Sequence, residues 1–496
     1  MTLSNEFKKT ALKFPNKIAI EFGEQKVTFM GIQSNADRFA NALEKLGVKK
    51  GDRVAHYLGN SLELVYSLVG NFNYGTPVVP INVNFKEQEI LHILSDSEAC
   101  AIVTDSERYE VLKNVTAQLP NLKHIIISDR KIKNCHYFDE LIKNAEDSCN
   151  SAVKDDDNAI FFYTSGTTGK PKGAPLTNAN VVAGVKSLVF AWKLTSEDIF
   201  ILSLPLYHIH GIGVALCTLL YTANTTILSK KFSAEETLEL IERKKATLFM
   251  GVPTMYFKIL EVPNAKKYDI SSMRLFVSGS APMSKELFED FRKKFGYEVL
   301  ERAGMSESMM NFSNPLRGKK IPGSVGPCLP GVSVKITDKN FKEVPVGTEG
   351  EILIKGPNVF HGYWKKDNSE VFKDGWFVTG DLGKIDSNGY VYIIGRSKDL
   401  IISGGINIYP REIEELIESM PEVLECAVVG VPDKEFGESV KAFVVLQSKK
   451  KISEEEVISF CKSKLASFKK PKYVEFLDSL PKNTMGKIQK SVLRGR

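Results

Sequence analysis

The sequence predicts an α/β protein: a large N-terminal domain of layered α/β sheets, residues 1–397, and a small α+β C-terminal domain, residues 398–496. Three observations predict it. Helix-like and strand-like patterns alternate through the first two-thirds of the chain, as expected for helices packed on largely parallel sheets. At 496 residues the chain exceeds the size at which a single core keeps growing. The pattern then breaks sharply after Arg396.

In chain order, Asn35 to Leu46 is amphipathic, with Phe39, Leu43 and Leu46 at helical spacing, and a turn leads from it into the strand-like Arg53-Val54-Ala55. Ala159 to Phe162, Thr247 to Met250 and Leu275 to Val277 are short apolar runs that read as buried strands. Gly389 to Ile394 alternates like a strand. Beyond the break, Ser403-Gly404-Gly405 precedes a helix from Pro410 to Met420, whose apolar stripe is Ile413, Leu416, Ile417 and Met420. Proline suits that first turn because its missing N–H has no helical partner to lose. Strands at Ala427 to Val429 and Val440 to Leu446 and a helix around Glu455 to Leu465 complete a unit of about a hundred residues, an ordinary domain size.

Composition narrows the function. Apolar content of 43% and charged content of 25% are those of a globular protein. The net charge of +6 is small for this length, and no basic block interleaved with aromatics argues for nucleic acid. The seven cysteines (Cys100, Cys135, Cys149, Cys217, Cys328, Cys426 and Cys461) are scattered and form no Cys-x-x-Cys, which fits a reducing compartment. The first residues lack the apolar core of a signal peptide, and the run from Ile209 to Tyr221 is too short to span a bilayer. A cytoplasmic monomer or homodimer is expected.

The richest segment for chemistry is Tyr163 to Gly173. A strand enters a loop of Thr164, Ser165, Gly166, Thr167, Thr168 and Gly169, followed by Lys170 and Lys172. Backbone N–H groups, hydroxyls and cations together suit a polyphosphate; a solvated flexible loop is the alternative. The spacing is not that of a Walker loop, since only Thr167 and Thr168 separate Gly166 from Gly169-Lys170.

This loop resembles the phosphate loop of the acyl-adenylate-forming superfamily, and four further segments resemble that family in order. They are Glu301-Arg302-Ala303-Gly304-Met305-Ser306-Glu307, Gly375 to Asp381, Gly395 to Asp399, and Pro481 to Lys487. The resemblance runs over essentially the whole chain. It implies an AMP-forming acid:CoA ligase that uses a carboxylic acid, ATP, coenzyme A and Mg2+, with a mobile C-terminal domain.

The same resemblance implies roles. Lys487 would stabilise the meeting of carboxylate and α-phosphate, and Glu307 with Thr164 would hold magnesium. Thr164, Ser165, Thr167, Thr168 and Lys172 would wrap the β- and γ-phosphates. Asp381 and Arg396 would hold the ribose, and Ser278-Gly279-Ser280 would line the adenine and acyl pockets. Lys398 would be the hinge, and Ser403, Gly404 and Gly405 would meet the pantetheine thiol. Ser306 stands where threonine is usual, and Ala303 where an aromatic residue normally stacks on adenine.

For the acid, Pro205 to Gly211 resembles an acyl-pocket segment, with His208 in the wall, and no aspartate there asks for an amino acid. Gly251 to Tyr256, Ser278 to Ala281 and Glu301-Arg302 resemble malonyl- and methylmalonyl-CoA synthetases, which implies that Lys258, Ser280 and Arg302 hold a distal carboxylate. If Arg302 and Lys258 instead pair with Glu301 or Glu307, the pocket is apolar and a fatty or aryl acid fits. A noncatalytic adenylate-binding relative is a further alternative, against which Lys487 and Glu307 speak.

Overall fold

The computed structural model describes every residue except Asn144, Asn150, 165–169, 404–405, 434–435, 449, 483–486 and 496, and describes Asn407 by its backbone alone. It is a mixed α/β protein with a large N-terminal part of layered sheets and a smaller α+β C-terminal part, as the alternation predicts. Contacts divide the chain into two compact units. One comprises Met1–Pro322, Gly326–Ser333 and Lys355–Phe377; the other comprises Gly323–Val325, Val334–Ile354 and Val378–Arg496.

The first unit holds two large sheets. In one, the central strands Thr225–Leu228, Ile199–Leu202, Leu248–Gly251, Leu275–Ser278 and Leu300–Met305 pair in parallel, and Met309–Ser313 closes one edge antiparallel. In the other, Val54–Tyr57 lies between Ala101–Thr104 and Val78–Pro80, and Asn158–Thr164 joins beyond it. The central strands are buried on both faces, which is why they read as continuous apolar runs rather than alternating ones. A core of Phe249, Tyr256, Phe276 and Phe291 fills one face, their rings meeting edge to face.

The helix expected at Asn35 starts earlier, at Phe29, where the Thr28 hydroxyl caps the Gly31 N–H. Gly31 in its first turn weakens the helical signal ahead of Asn35. Asp37 is buried there, and it accepts a hydrogen bond from the Asn73 side chain at 2.8 Å.

In the second unit, Val423–Asp433 and Gly437–Leu446 form a long antiparallel ladder, with Tyr473–Phe476 parallel beside it. The helix Pro410–Glu418 buries Ile413 and Ile417 against this sheet, in a cluster with Val428, Val440 and Val444. A second sheet pairs Trp376–Ile385 with Val391–Arg396, setting Asp381 directly opposite Arg396.

Candidate active site

Thr164 and Lys172 are cross-strand partners at the mouth of a hairpin between Asn158–Thr164 and Lys172–Thr177. Ser165, Gly166, Thr167, Thr168 and Gly169 fall between them and lie outside the described residues. A strand, not a helix, follows the loop, so any phosphate held there depends on loop donors rather than on a helix terminus. The hairpin is braced from three sides. His92 Nε2 lies 2.8 Å from the Pro171 carbonyl oxygen, the Trp364 N–H donates to the Gly173 carbonyl at 2.8 Å, and the Tyr163 hydroxyl donates to Asp96 Oδ2 at 2.8 Å.

Glu307 is buried beside this mouth. The Thr164 hydroxyl donates to its Oε1 at 3.2 Å, and the Tyr363 hydroxyl donates to the same oxygen at 2.9 Å. No hydrogen bond from a described residue reaches Oε2. The Lys172 ammonium sits 5.3 Å from the Tyr363 ring centroid.

Leu300–Met305 carries the preceding motif from the core to the surface: Glu301 and Arg302 are buried, Ala303 and Met305 half-buried, and Gly304 exposed. Ser306 is half-buried. Glu301 Oε1 accepts from the Met283 N–H at 3.1 Å, so this carboxylate faces the loop after Ser280. Gly304 is required sterically, since a Cβ there would lie 1.9 Å from the Met309 carbonyl oxygen.

Arg302 forms the electrostatic centre of a second cluster. It is 3% exposed, and its Nε and Nη2 have no hydrogen-bond partner among the described residues. Neither Glu301 nor Glu307 is within ion-pair distance of it. Burial lowers its pKa to about 9. The guanidinium packs on Gly279, where a Cβ would stand 2.5 Å from Cζ, so a larger residue there would push the arginine head aside. Ser278 Oγ, close by in sequence, is buried with no hydrogen-bond partner among the described residues, and Ser280 takes φ +67°, in the left-handed region.

His210 belongs to the same cluster. It is fully buried at the start of the wide helical turn His210–Leu216, its Nδ1 3.3 Å from Ser280 Oγ and its Nε2 without a partner among the described residues. Burial first, and then the Arg302 charge, push its pKa well below the ordinary histidine range, so it is neutral. His208 is half-buried and accepts the His210 N–H at Nδ1, 3.3 Å away. Lys258 is exposed on the helix Pro253–Glu261, two residues from the fully buried Tyr256, and thus about 200° around the helix from it.

In the second unit, the Arg396 guanidinium binds Asp381 Oδ1 through Nε at 2.8 Å and donates through Nη1 to the Thr379 carbonyl at 3.1 Å. Lys398 is exposed in the short turn Ser397–Asp399, whose Lys398 carbonyl and Asp399 carboxylate both accept from Arg494 Nη2. Ser403 ends the strand Ile401–Ser403; Gly404 and Gly405 lie outside the described residues. Lys487 has its pKa lowered, by desolvation first and then by Arg396 and Lys398, with Asp381 and Asp399 opposing. The residue is exposed at its surface, so solvent screens these influences.

Sequence reasoning did not single out His210 or Tyr363. The His208-x-His210 spacing was the available signal for the first, whereas nothing local marks Tyr363, which reaches Glu307 from 56 positions away.

Comparison with known proteins places this arrangement. Residues 7–364 match the family model described as AMP-binding enzyme, and residues 412–487 match the AMP-binding enzyme C-terminal domain. The chain is 36% identical to a long-chain-fatty-acid–CoA ligase of Bacillus subtilis, over 98% of this chain and 93% of that protein. It is 33% identical to a malonate–CoA ligase of Arabidopsis thaliana, over 93% of this chain and 80% of that protein. Its structure superposes on ATP-bound MatB from Rhodopseudomonas palustris with a TM-score of 0.94 and 40% identity, covering 100% of this chain and 99% of the other.

Proposed function

Because this chain belongs to the AMP-binding enzyme family and is an AMP-forming acyl-CoA ligase, we propose that the acid it activates is a small dicarboxylate, malonate or methylmalonate. One observation carries the proposal: Arg302 is a buried guanidinium with two nitrogens unpartnered, and no carboxylate in reach, among the described residues. Leaving such a charge unpaired costs several kcal/mol, and an alkyl or aryl tail would do nothing to offset it. A second carboxylate on the substrate does, with Ser280 and neutral His210 completing the polar wall. Lys258 would add a long-range positive charge from the exposed face of its helix.

The chemistry runs in two halves. A carboxylate oxygen attacks the α-phosphorus of ATP, forming the acyl-adenylate and releasing pyrophosphate. The coenzyme A thiol, losing its proton, then attacks the acyl carbon and AMP leaves. The first step brings two anions together, so preorganised cations dominate its rate. Lys487 supplies that cation; Thr164, Lys172 and the loop between them hold the β- and γ-phosphates. Asp381, oriented through one oxygen by Arg396, offers its other oxygen to the ribose hydroxyls.

The residues fit magnesium, since Glu307 presents a hard carboxylate oxygen that no described residue occupies, with Thr164 beside it. Bound there, the ion would offset phosphate charge. Turning about Lys398, the 398–496 domain would withdraw Lys487 after adenylation and bring the Ser403, Gly404 and Gly405 loop to the thiol. Ser278, Gly279, Ala303, Gly304, Met305 and Ser306 would line the nucleotide and acyl site.

A fatty or aryl acid is the second reading, favoured by the fatty-acid ligase among the relatives. Thioester formation with malonate, methylmalonate, octanoate and benzoate, repeated with Arg302→Ala, separates the two. Malonate or methylmalonate should turn over best and be lost selectively in the variant. Equal malonate activity of variant and parent would end the dicarboxylate reading.

A further inference from the structure

We propose that Tyr363 is a positioning residue for the metal-bound nucleotide: its hydroxyl fixes one oxygen of Glu307 while its ring holds Lys172, keeping this acid and this base from neutralising each other. The inference rests on the reading of Glu307 as the magnesium ligand.

The geometry is specific. Two hydroxyls, from Thr164 and Tyr363, donate to the same Glu307 oxygen, Oε1. A carboxylate held twice on one oxygen cannot rotate freely, and it offers the other oxygen as a single, oriented donor. Partners behind a metal ligand act in this way, and their loss typically costs about 10- to 100-fold in metal affinity or activity. On the other side, Lys172 lies over the electron-rich face of the same ring. Lys172 makes no ion pair among the described residues, although Glu307 is held at the edge of the ring that Lys172 covers. The phenol thus stands between a cation meant for phosphate and an anion meant for a cation.

The ring itself is fixed from behind. Phe360 packs against it edge to face, centroids 4.9 Å apart, and the Phe360 N–H donates to the Glu307 carbonyl at 2.8 Å. The Asn368 side chain accepts the Tyr363 N–H at 2.8 Å and donates to the Tyr363 carbonyl at 3.1 Å. Gly362, at φ +131°, lets that side chain approach, since a Cβ there would lie 2.7 Å from it. None of these contacts uses the hydroxyl, so Tyr363→Phe removes the hydrogen bond to Glu307 and leaves the backbone anchored.

The test is a magnesium titration of the ATP-bound enzyme, followed by intrinsic tryptophan fluorescence and by the ATP-dependent rise in melting temperature, with KM for ATP and kcat of pyrophosphate release measured alongside. Tyr363→Phe should weaken magnesium binding about 10- to 100-fold and leave metal-free ATP binding unchanged. Tyr363→Leu should in addition weaken metal-free ATP binding a few-fold, because Lys172 loses the ring. Glu307→Gln is the reference variant. If it abolishes the magnesium response and Tyr363→Phe matches the parent, the positioning role is overturned. If Glu307→Gln itself leaves the response intact, the assignment of Glu307 fails, and the role of Tyr363 fails with it.

Discussion

Arg302 in the first unit and Arg411 in the second are both largely enclosed by protein, yet their surroundings push them in opposite directions. Arg411 stands in the first turn of Pro410–Glu418, its Nε 3.0 Å from Glu415 and its Nη1 3.7 Å from Glu418. Burial acts against its charge, but Glu418, Glu415 and Glu414 outweigh that and raise its pKa. Nearby, Lys490 Nζ lies 2.6 Å from Glu414, so this charge cluster is closed on itself. Arg302 has no such acid among the described residues, and burial lowers it to about 9. A buried cation that the protein pairs serves the fold; one that it leaves unpaired is held ready for a ligand.

Exchanging each arginine for a methionine of similar length breaks the comparison most directly. Arg302→Met should lower kcat/KM for malonate by about 100-fold, as expected for a lost hydrogen-bonded charge pair. It should also raise the melting temperature of the first unit, because an uncompensated buried charge is removed, a gain of about 1–3 kcal/mol. A fall in melting temperature would mean that Arg302 is paired after all. Arg411→Met should do the reverse, costing about 1–3 kcal/mol of stability with the acid preference unchanged. Differential scanning calorimetry with the acid panel reads both.

The pH profile sharpens the contrast. Burial pulls the Arg302 pKa down to about 9, so its positive charge is weakened as pH rises toward and past that value. The ratio of kcat/KM for malonate to that for octanoate should therefore fall as pH rises through about 9. Taking the ratio removes the titration of Lys487, which acts on every acid equally. An unchanged ratio from pH 7 to pH 10 would count against Arg302 as the carboxylate partner. The smallest expected effect is at Ala303→Tyr. Restoring an aromatic face for adenine should tighten ATP binding about 2- to 10-fold by calorimetry, from a stacking contribution of about 0.5–1.5 kcal/mol. No change would mean that a different side chain already covers the base.

Much of the fold was legible because it depends on local pattern. The continuous apolar runs at Leu248–Gly251 and Leu275–Ser278 are fully buried parallel strands, and the stripe through Ile413 and Ile417 faces the core. The start of the helix at Phe29 was not legible, since Gly31 in its first turn weakens the helical signal there; nor was the burial of Asp37, which looks like a surface residue until Asn73 is seen beside it. At the site, the order of motifs announced the loop, Glu307, Asp381, Arg396 and Lys487 as candidates. It could not say whether Arg302 meets Glu301 or Glu307, because a sequence records that charges exist and not which of them touch.

The sequence by itself determined the family, the alternation of elements and the residue types available for the chemistry, because motif order and hydrophobic period are properties of neighbours along the chain. Only the tertiary structure decided that Thr164 meets Glu307 across 143 positions, that His210 faces Ser280 across 70, and that Arg302 meets no acid among the described residues. Those outcomes turn on which strands lie side by side. Pairing and burial of charge are set by packing between distant segments, where a shift of a few ångströms decides whether a cation is neutralised or kept for a substrate.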